Sequence, residues 1–360
     1  MKSLKAFCAR KNVILSLHRY GIDALGAMAQ GLFCTLLVGT ILNTLGGQLH
    51  IGLLTTPIAG DYTIGGLASA MVGPGIAVAI GHALHCPPLV LYSLIPVGFA
   101  SNAIAGAGGP LAVYLVTIIA AELGKLVSKE TRIDILVTPC TTILCGCLLS
   151  SVIAAPIGRA ASAVGLAIMW ATELQPFFMG MIVSVVIGIA LTLPISSAAI
   201  CAAFGLCGLA GGAAVAGCCA QMVGFAVMSF KENGWGGLVA QGLGTSMLQM
   251  PNIVKNPKVW IPPTLASAIT GPLATCVFHL QMNGAPVSSG MGTCGLVGQI
   301  GVYTGWVADV AAGTKAAITA MDWIGLILVC FVLPAVLSWA FCEILRRLGW
   351  IKDGDLKLDL

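Results

Sequence analysis

Charge is what this chain has least of. Asp, Glu, Lys and Arg make up 8% of its 360 residues, against about a quarter in a soluble globular domain, and that shortage excludes an ordinary water-soluble fold. It is also unevenly spread. No Asp, Glu, Lys or Arg lies between Asp61 and Glu122, between Glu173 and Lys231, or between Lys258 and Asp309. Each gap is long enough for two membrane spans of roughly 20 residues, so several helices must turn within nearly uncharged sequence. Metal-site spacing is missing as well. The pair Cys145 and Cys147 has neither a second pair nor a histidine at ligand distance in sequence, so no metal and no cofactor is expected. A disulfide framework is not indicated by the 14 cysteines, because Cys34, Cys145, Cys147, Cys207, Cys218, Cys219, Cys276 and Cys330 sit inside apolar runs and read as small packing residues. A cleaved leader is not expected either, since the basic start leads into a full-length span with no small-residue cleavage site after a short apolar core.

What is present fits a lipid solvent. Hydrophobic residues make up 58%, and the 46 glycines lie within apolar stretches, as close helix packing and broken helices require. We expect an all-α polytopic membrane protein of about eight to ten transmembrane helices with broken or re-entrant segments. Its division is a short segment 1–22, a membrane domain 23–345 and a tail 346–360. Lys2, Lys5, Arg10, Lys11 and Arg19 place the first segment in the cytoplasm by the positive-inside rule, and Arg346, Arg347 and Lys352 do the same for the tail. This basic excess is a topology signal, not a nucleic-acid footprint.

Spans are expected near Ala24–Gly46, Thr63–Ala83, Pro88–Ala107 and from the Gly-rich break at 105–110 to Glu122. Lys125, Lys129 and Arg132 then mark a second cytoplasmic cluster, so four crossings separate the two. Further spans are expected at Ile133–Ala155, Pro176–Leu193, Ala198–Phe230, Thr264–Leu280 and Trp323–Ile344. Ile157–Trp170 reads as an amphipathic helix along the interface. Asp61 is expected in an exposed loop. His82 and His85, at helical i,i+3 spacing, are expected at the interface.

The stretch that organises the chain is Gly244–Pro263, GTSMLQMPNIVKNPKVWIPP. Pro251, Pro257, Pro262 and Pro263 stop continuous helix. In a bilayer, backbone that leaves the helix must be satisfied by protein or by a water-filled cavity, so such breaks line places where solute is handled. Thr245, Ser246, Gln249 and Asn252 offer neutral donors and acceptors suited to a hydroxyl-rich ligand. Two further uncharged breaks, at Ser196 and Ser197 and at Ser288 and Ser289, are expected to converge with it on one solute site with no catalytic group.

From Gly108 to about Gly298, motif order and spacing resemble the fructose-type membrane subunit, enzyme IIC, of the sugar phosphotransferase system, nearest its divergent perfringolysin-O-regulator-like branch. The residues that carry this are PFFMGMIVSVVIGIALTLPISSAA at 176–199, Asn256-Pro257, Ile261-Pro262, Ala285-Pro286, Gly-Gly-Pro at 108–110 and Thr138-Pro139 opening the fifth span. The resemblance implies a homodimer, a sugar-like substrate and a IIB-type partner. The ionisable groups of the family pattern are not retained: its Thr-Glu-Gly acid falls on Met247, its aspartate on Ala190, its Asn-Lys on Ser196 and Ser197, and its Pro-His-Gly-Gly histidine on Val287. Three readings stay open. The chain could transport a small neutral polar solute without phosphorylating it. It could be a genuine phosphotransferase subunit using groups such as His82 or His279. It could also be a membrane sensor or regulator.

Overall fold

The computed structural model describes residues 7–16, 18–49 and 51–358. Among them no strand forms; the only ladder contacts are two isolated bridges, Ala59 with Tyr62 and Gly208 with Met282. The helices are α1 (Arg19–Gly47), α2 (Ile64–Ala70), α3 (Val72–Ala83), α4 (Pro88–Ala105), α5 (Gly109–Val127), α6 (Asp134–Thr172), α7 (Pro176–Thr192), α8 (Ser197–Ala203), α9 (Gly208–Met228), α10 (Phe230–Val239), α11 (Met250–Lys255), α12 (Ile261–Pro272), α13 (Val297–Ala311) and α14 (Ala320–Arg347). Among the described residues five helical stretches are long and apolar enough to cross a membrane, and a sixth forms if α2 and α3, bent by 54°, count as one broken span. One of the five, Pro88–Val127, is 40 residues long and holds both α4 and α5, joined by a 3-10 turn at Gly106–Gly108. This is a multi-pass membrane protein whose remaining apolar sequence is spent on shorter helices such as α7 and α12.

The chain folds as two compact units, the first ending at Ala160 and the second beginning at Ala161. That boundary falls inside α6, and here the sequence reading needs correcting. Ile157–Trp170 is not a separate interfacial helix but the continuation of a single 39-residue helix that runs through Pro139 and Pro156. Proline removes one amide donor and crowds the preceding turn, yet in apolar surroundings neighbouring groups can absorb the defect.

In the first unit the two basic clusters meet at one end. Arg10 pairs with Glu130 at 2.7 Å, Lys11 with the same carboxylate, and Lys125, 1% exposed, bonds Glu122 at 2.9 Å and the carbonyls of Asn12 and Leu84. The Lys11 bond, helped by Arg10, holds the Glu130 carboxyl below its usual range. Asp61 is exposed in a turn. His82 and His85 are both exposed, but α3 ends at Ala83 and His85 takes a left-handed φ of 54°, so the helical spacing between them does not survive.

The second unit is built around α9. Its sequence, GLAGGAAVAGCCAQMVGFAVM, is nearly all small residues, and almost every one is buried against α7, α12 and α14. Gly217 shows why: a Cβ there would fall on the carbonyl of Ser184, and Ser267 Oγ donates to the Gly217 carbonyl at 3.4 Å. Backbones approach this closely only where side chains are absent. α9, α12 and α14 all run between the same two ends of the unit. Gly208, Phe278 and Gly325 gather at one end. Met228, Trp260 and Arg346 belong to the other.

Candidate solute site in the second unit

Three interruptions position the polar side chains. The first separates α7 from α8. Leu193 is extended, Ser196 caps α8 by accepting from the Ala199 amide at 3.2 Å, and Ser197 Oγ donates to the Gly290 carbonyl at 2.7 Å. That carbonyl belongs to the second interruption, a 3-10 turn over Pro286–Gly290. There Ser289 Oγ donates to the Leu206 carbonyl at 2.6 Å, and Ser288 is buried beside Gly301. Ser196, Ser197, Ser288 and Ser289 therefore lie together where two breaks touch.

The third interruption is the organising stretch itself. It is a chain of short pieces: a π turn at Ala240–Gly244, a 3-10 turn at Ser246–Gln249, α11, a 3-10 turn at Pro257–Trp260 and then α12. Thr245 Oγ1 accepts from the Met247 amide at 3.1 Å and caps the first 3-10 turn. Ser246 and Thr192 share a hydrogen bond of 2.8 Å, which ties this break to the end of α7. Thr192 also bonds Gln221 Oε1 at 3.3 Å. That oxygen takes the Trp260 indole N–H at 2.9 Å, while Gln221 Nε2 donates to Thr264 at 3.3 Å. Every side chain in this network is neutral.

Gln249 and Asn252 go elsewhere. Gln249 Nε2 donates to Gln241 Oε1 at 2.8 Å and to the Leu356 carbonyl at 3.0 Å; Asn252 Nδ2 donates to Gln249 Oε1 and to the Lys357 carbonyl, both at 2.8 Å. Asn256 holds the Trp350 carbonyl and Asp355, and Asn233 bonds Leu356 and Leu358. The carboxyl-terminal segment 351–358 thus lies along a row of amide side chains, its Ile351 and Leu356 buried. The sequence reading did not see this clasp. Its signal, an amide at 233, 241, 249, 252 and 256, was present, but nothing local names the partner.

A family model described as Phosphotransferase system, EIIC, matches residues 22–358. The chain belongs to that family. As an EIIC protein it is the membrane component of a sugar-transport system; the match is at the level of the EIIC family and names no branch within it. No curated protein and no solved structure matches it. Of the positions that the resemblance sets against the family's ionisable groups, Met247 is 2% exposed, Ala190 and Ser197 are buried, and Val287 and Ser196 are half-buried; none carries an ionisable side chain. The neutral network around Ser246 thus forms beside a side chain that can neither take nor give a proton.

Thr192, Gln221, Trp260, Gln241 and Thr264 complete the polar groups of this region and were not singled out from sequence. Gln221 was the most legible of them, as the one amide in 21 residues of α9. An unpaired buried amide costs about 1–3 kcal/mol, so its presence there required a partner network.

Proposed function

We propose that this EIIC chain moves a small neutral polar solute, a sugar or polyol, across the cell membrane without phosphorylating it, as a homodimer with both termini in the cytoplasm. The observation that carries this is the neutral network of Thr192, Gln221, Ser246, Thr264 and Trp260 beside buried Met247. A solute entering between Ser246 and Ser197 would exchange hydroxyl for hydroxyl with these groups, with no net change in charge. Phosphoryl transfer to that hydroxyl needs a group that orients or deprotonates it and donors for the transferring anion. Losing one such donor typically slows a reaction by about 10²-fold or more, and this region holds no acid or base in contact with Ser246. A IIB-type phosphorylated partner, if it docks, would meet a site without a base. The placement nearest the fructose-type branch rests on motif order.

Purified protein in liposomes tests the reading. Sugar or polyol flux is expected without phosphoenolpyruvate, and addition of phosphoenolpyruvate with the general phosphotransferase proteins should give no sugar phosphate above an empty-vesicle control. A reproducible yield of sugar phosphate dependent on this chain would sink it. Absence of flux for every sugar and polyol tried would favour the sensor reading.

A further inference from the structure

At the end of the second unit opposite the carboxyl-terminal segment is a cavity of about 440 Å³. Its size is in the range of small-molecule sites, roughly 300–1,000 Å³. We propose that it is a second binding site of this chain, a capture site for a neutral polyhydroxylated molecule. The solute class is taken from the proposed function, and to that extent the inference rests on it.

The wall combines an apolar floor with polar groups held from several elements. Trp306 is 3% exposed and meets the ring of Trp323 edge-on at 5.6 Å; Trp323 in turn lies against Tyr303 at 5.6 Å. Such a surface suits the C–H face of a sugar or polyol. Beside it, one turn further along α13, Asp309 Oδ2 accepts from Asn283 at 2.7 Å, and Asn283 accepts from the Gly208 amide at 3.1 Å, which fixes both its amide plane and the carboxylate. Lys315 donates to Asp322 Oδ1 at 2.8 Å, while Asp322 Oδ2 is taken by the capping box of α14 through Thr319. The polar rim is therefore preorganised, and what remains unused is what a ligand can meet. The second oxygen of Asp309 and the ring nitrogens of His279 have no hydrogen-bond partner among the described residues. Lys315 has given only one of its three protons.

Charge narrows the ligand class. One ammonium against two carboxylates leaves one carboxylate without a cation, which disfavours sugar phosphates and sugar acids. One uncommitted carboxylate is too little for a divalent cation, which takes six or more oxygen ligands or a set of imidazole and thiolate groups, and no group of three such side chains gathers among the described residues. A hydroxyl donating to Asp309 and another accepting from Lys315 or His279 complete the set, with Trp306 beneath.

The test reads Trp306 directly. Protein labelled with 5-fluorotryptophan, its Trp306 line assigned by comparison with Trp306→Phe, is titrated in detergent with fructose, glucose, sorbitol and sorbitol 6-phosphate. A saturable shift of the Trp306 line with at least one neutral probe is expected, with weaker binding of the phosphate. Asp309→Asn should raise the Kd by roughly tenfold, the loss expected for a hydrogen bond to a charged group, with an unchanged melting temperature as the control for folding. Lys315→Met, which keeps the stem but not the donor, should weaken binding as well. No saturable shift with any neutral probe, or equal affinity in Asp309→Asn, would overturn the proposal. Liposome flux separates the two ideas: flux without a Trp306 response removes the capture site and keeps the transporter, whereas a response that Asp309→Asn abolishes, in protein that carries no flux, keeps the site and removes the transporter.

Discussion

The two ends of the second unit are built from the same three helices and finished in opposite ways. At one, α9, α12 and α14 meet Lys231, Lys255, Lys258, Arg346, Arg347 and Lys352, and the amides of Asn233, Gln249, Asn252 and Asn256 are filled by the chain's own carboxyl-terminal segment. At the other, Lys315 is the single cation beside Asp309 and Asp322, and the polar groups face an open cavity. The difference is in what satisfies the donors. Backbone carbonyls of the tail do so permanently at the basic end, while the acidic end keeps donors and acceptors free. By the positive-inside rule the clasped end would face the cytoplasm and the open end would face the incoming solute.

Three substitutions would break or sharpen that contrast, beginning with the largest effect. Gly217→Leu should abolish it, because the new side chain is driven onto the Ser184 carbonyl at the middle of α9; overpacking of this kind costs about 3 kcal/mol or more, and loss of a cooperative melting transition in detergent is the expected result. A variant that melts like the parent would show that α7 and α9 do not pack as described. Arg346→Ala should damage the clasped end alone. It removes the partner of Glu232 at 3.0 Å, both side chains being less than one-fifth exposed, together with the contact to Asp353. Glu232 is then left with the Gly354 amide and no cation, and an uncompensated, largely buried charge costs about 3 kcal/mol. Faster hydrogen exchange at 230–233 and 351–358, with residues 278–283 unchanged, would be the signature; equal acceleration at both ends would mean that they are not independent. Gln249→Leu has the smallest expected effect, about 2 kcal/mol for the lost bonds to Gln241, Asn252 and Leu356. It also tells clasp from solute site. Faster exchange of the tail with unchanged solute affinity assigns Gln249 to the clasp, and weakened affinity with a protected tail returns it to the solute site.

Much of this fold could be read from charge and proline alone. The uncharged gaps located the apolar helices, and Pro251, Pro257 and Pro262 located the broken stretch, because both signals act within a few residues of the structure they cause. The division expected between Ala155 and Ile157 did not hold, since the helix runs on through Pro156, and whether a proline ends a helix depends on what surrounds the lost hydrogen bond, which is set by packing far away in sequence. The same limit hid the clasp: Gln249 and Leu356 are 107 residues apart, and no periodicity links them. It also hid the cavity, whose Asn283, Asp309, Lys315 and Asp322 come from separate stretches of the chain. The serines at 196, 197, 288 and 289 were found because they mark breaks, and the backbone accounting that made the breaks notable also brings them into contact.

The near-complete burial of α9 bears on how such a chain can be made. Of the five stretches long enough to cross a membrane it is the least apolar, and the glycines that let it pack leave its peptide groups thinly covered against lipid. Its shelter is supplied largely by α12 and α14, both later in the chain. A nascent polypeptide stopped at Lys258 lacks those faces, so α9 cannot reach its final surroundings in the order in which it is synthesised. It must be held until the helices behind it emerge, and the second unit is completed from its C-terminal half inward.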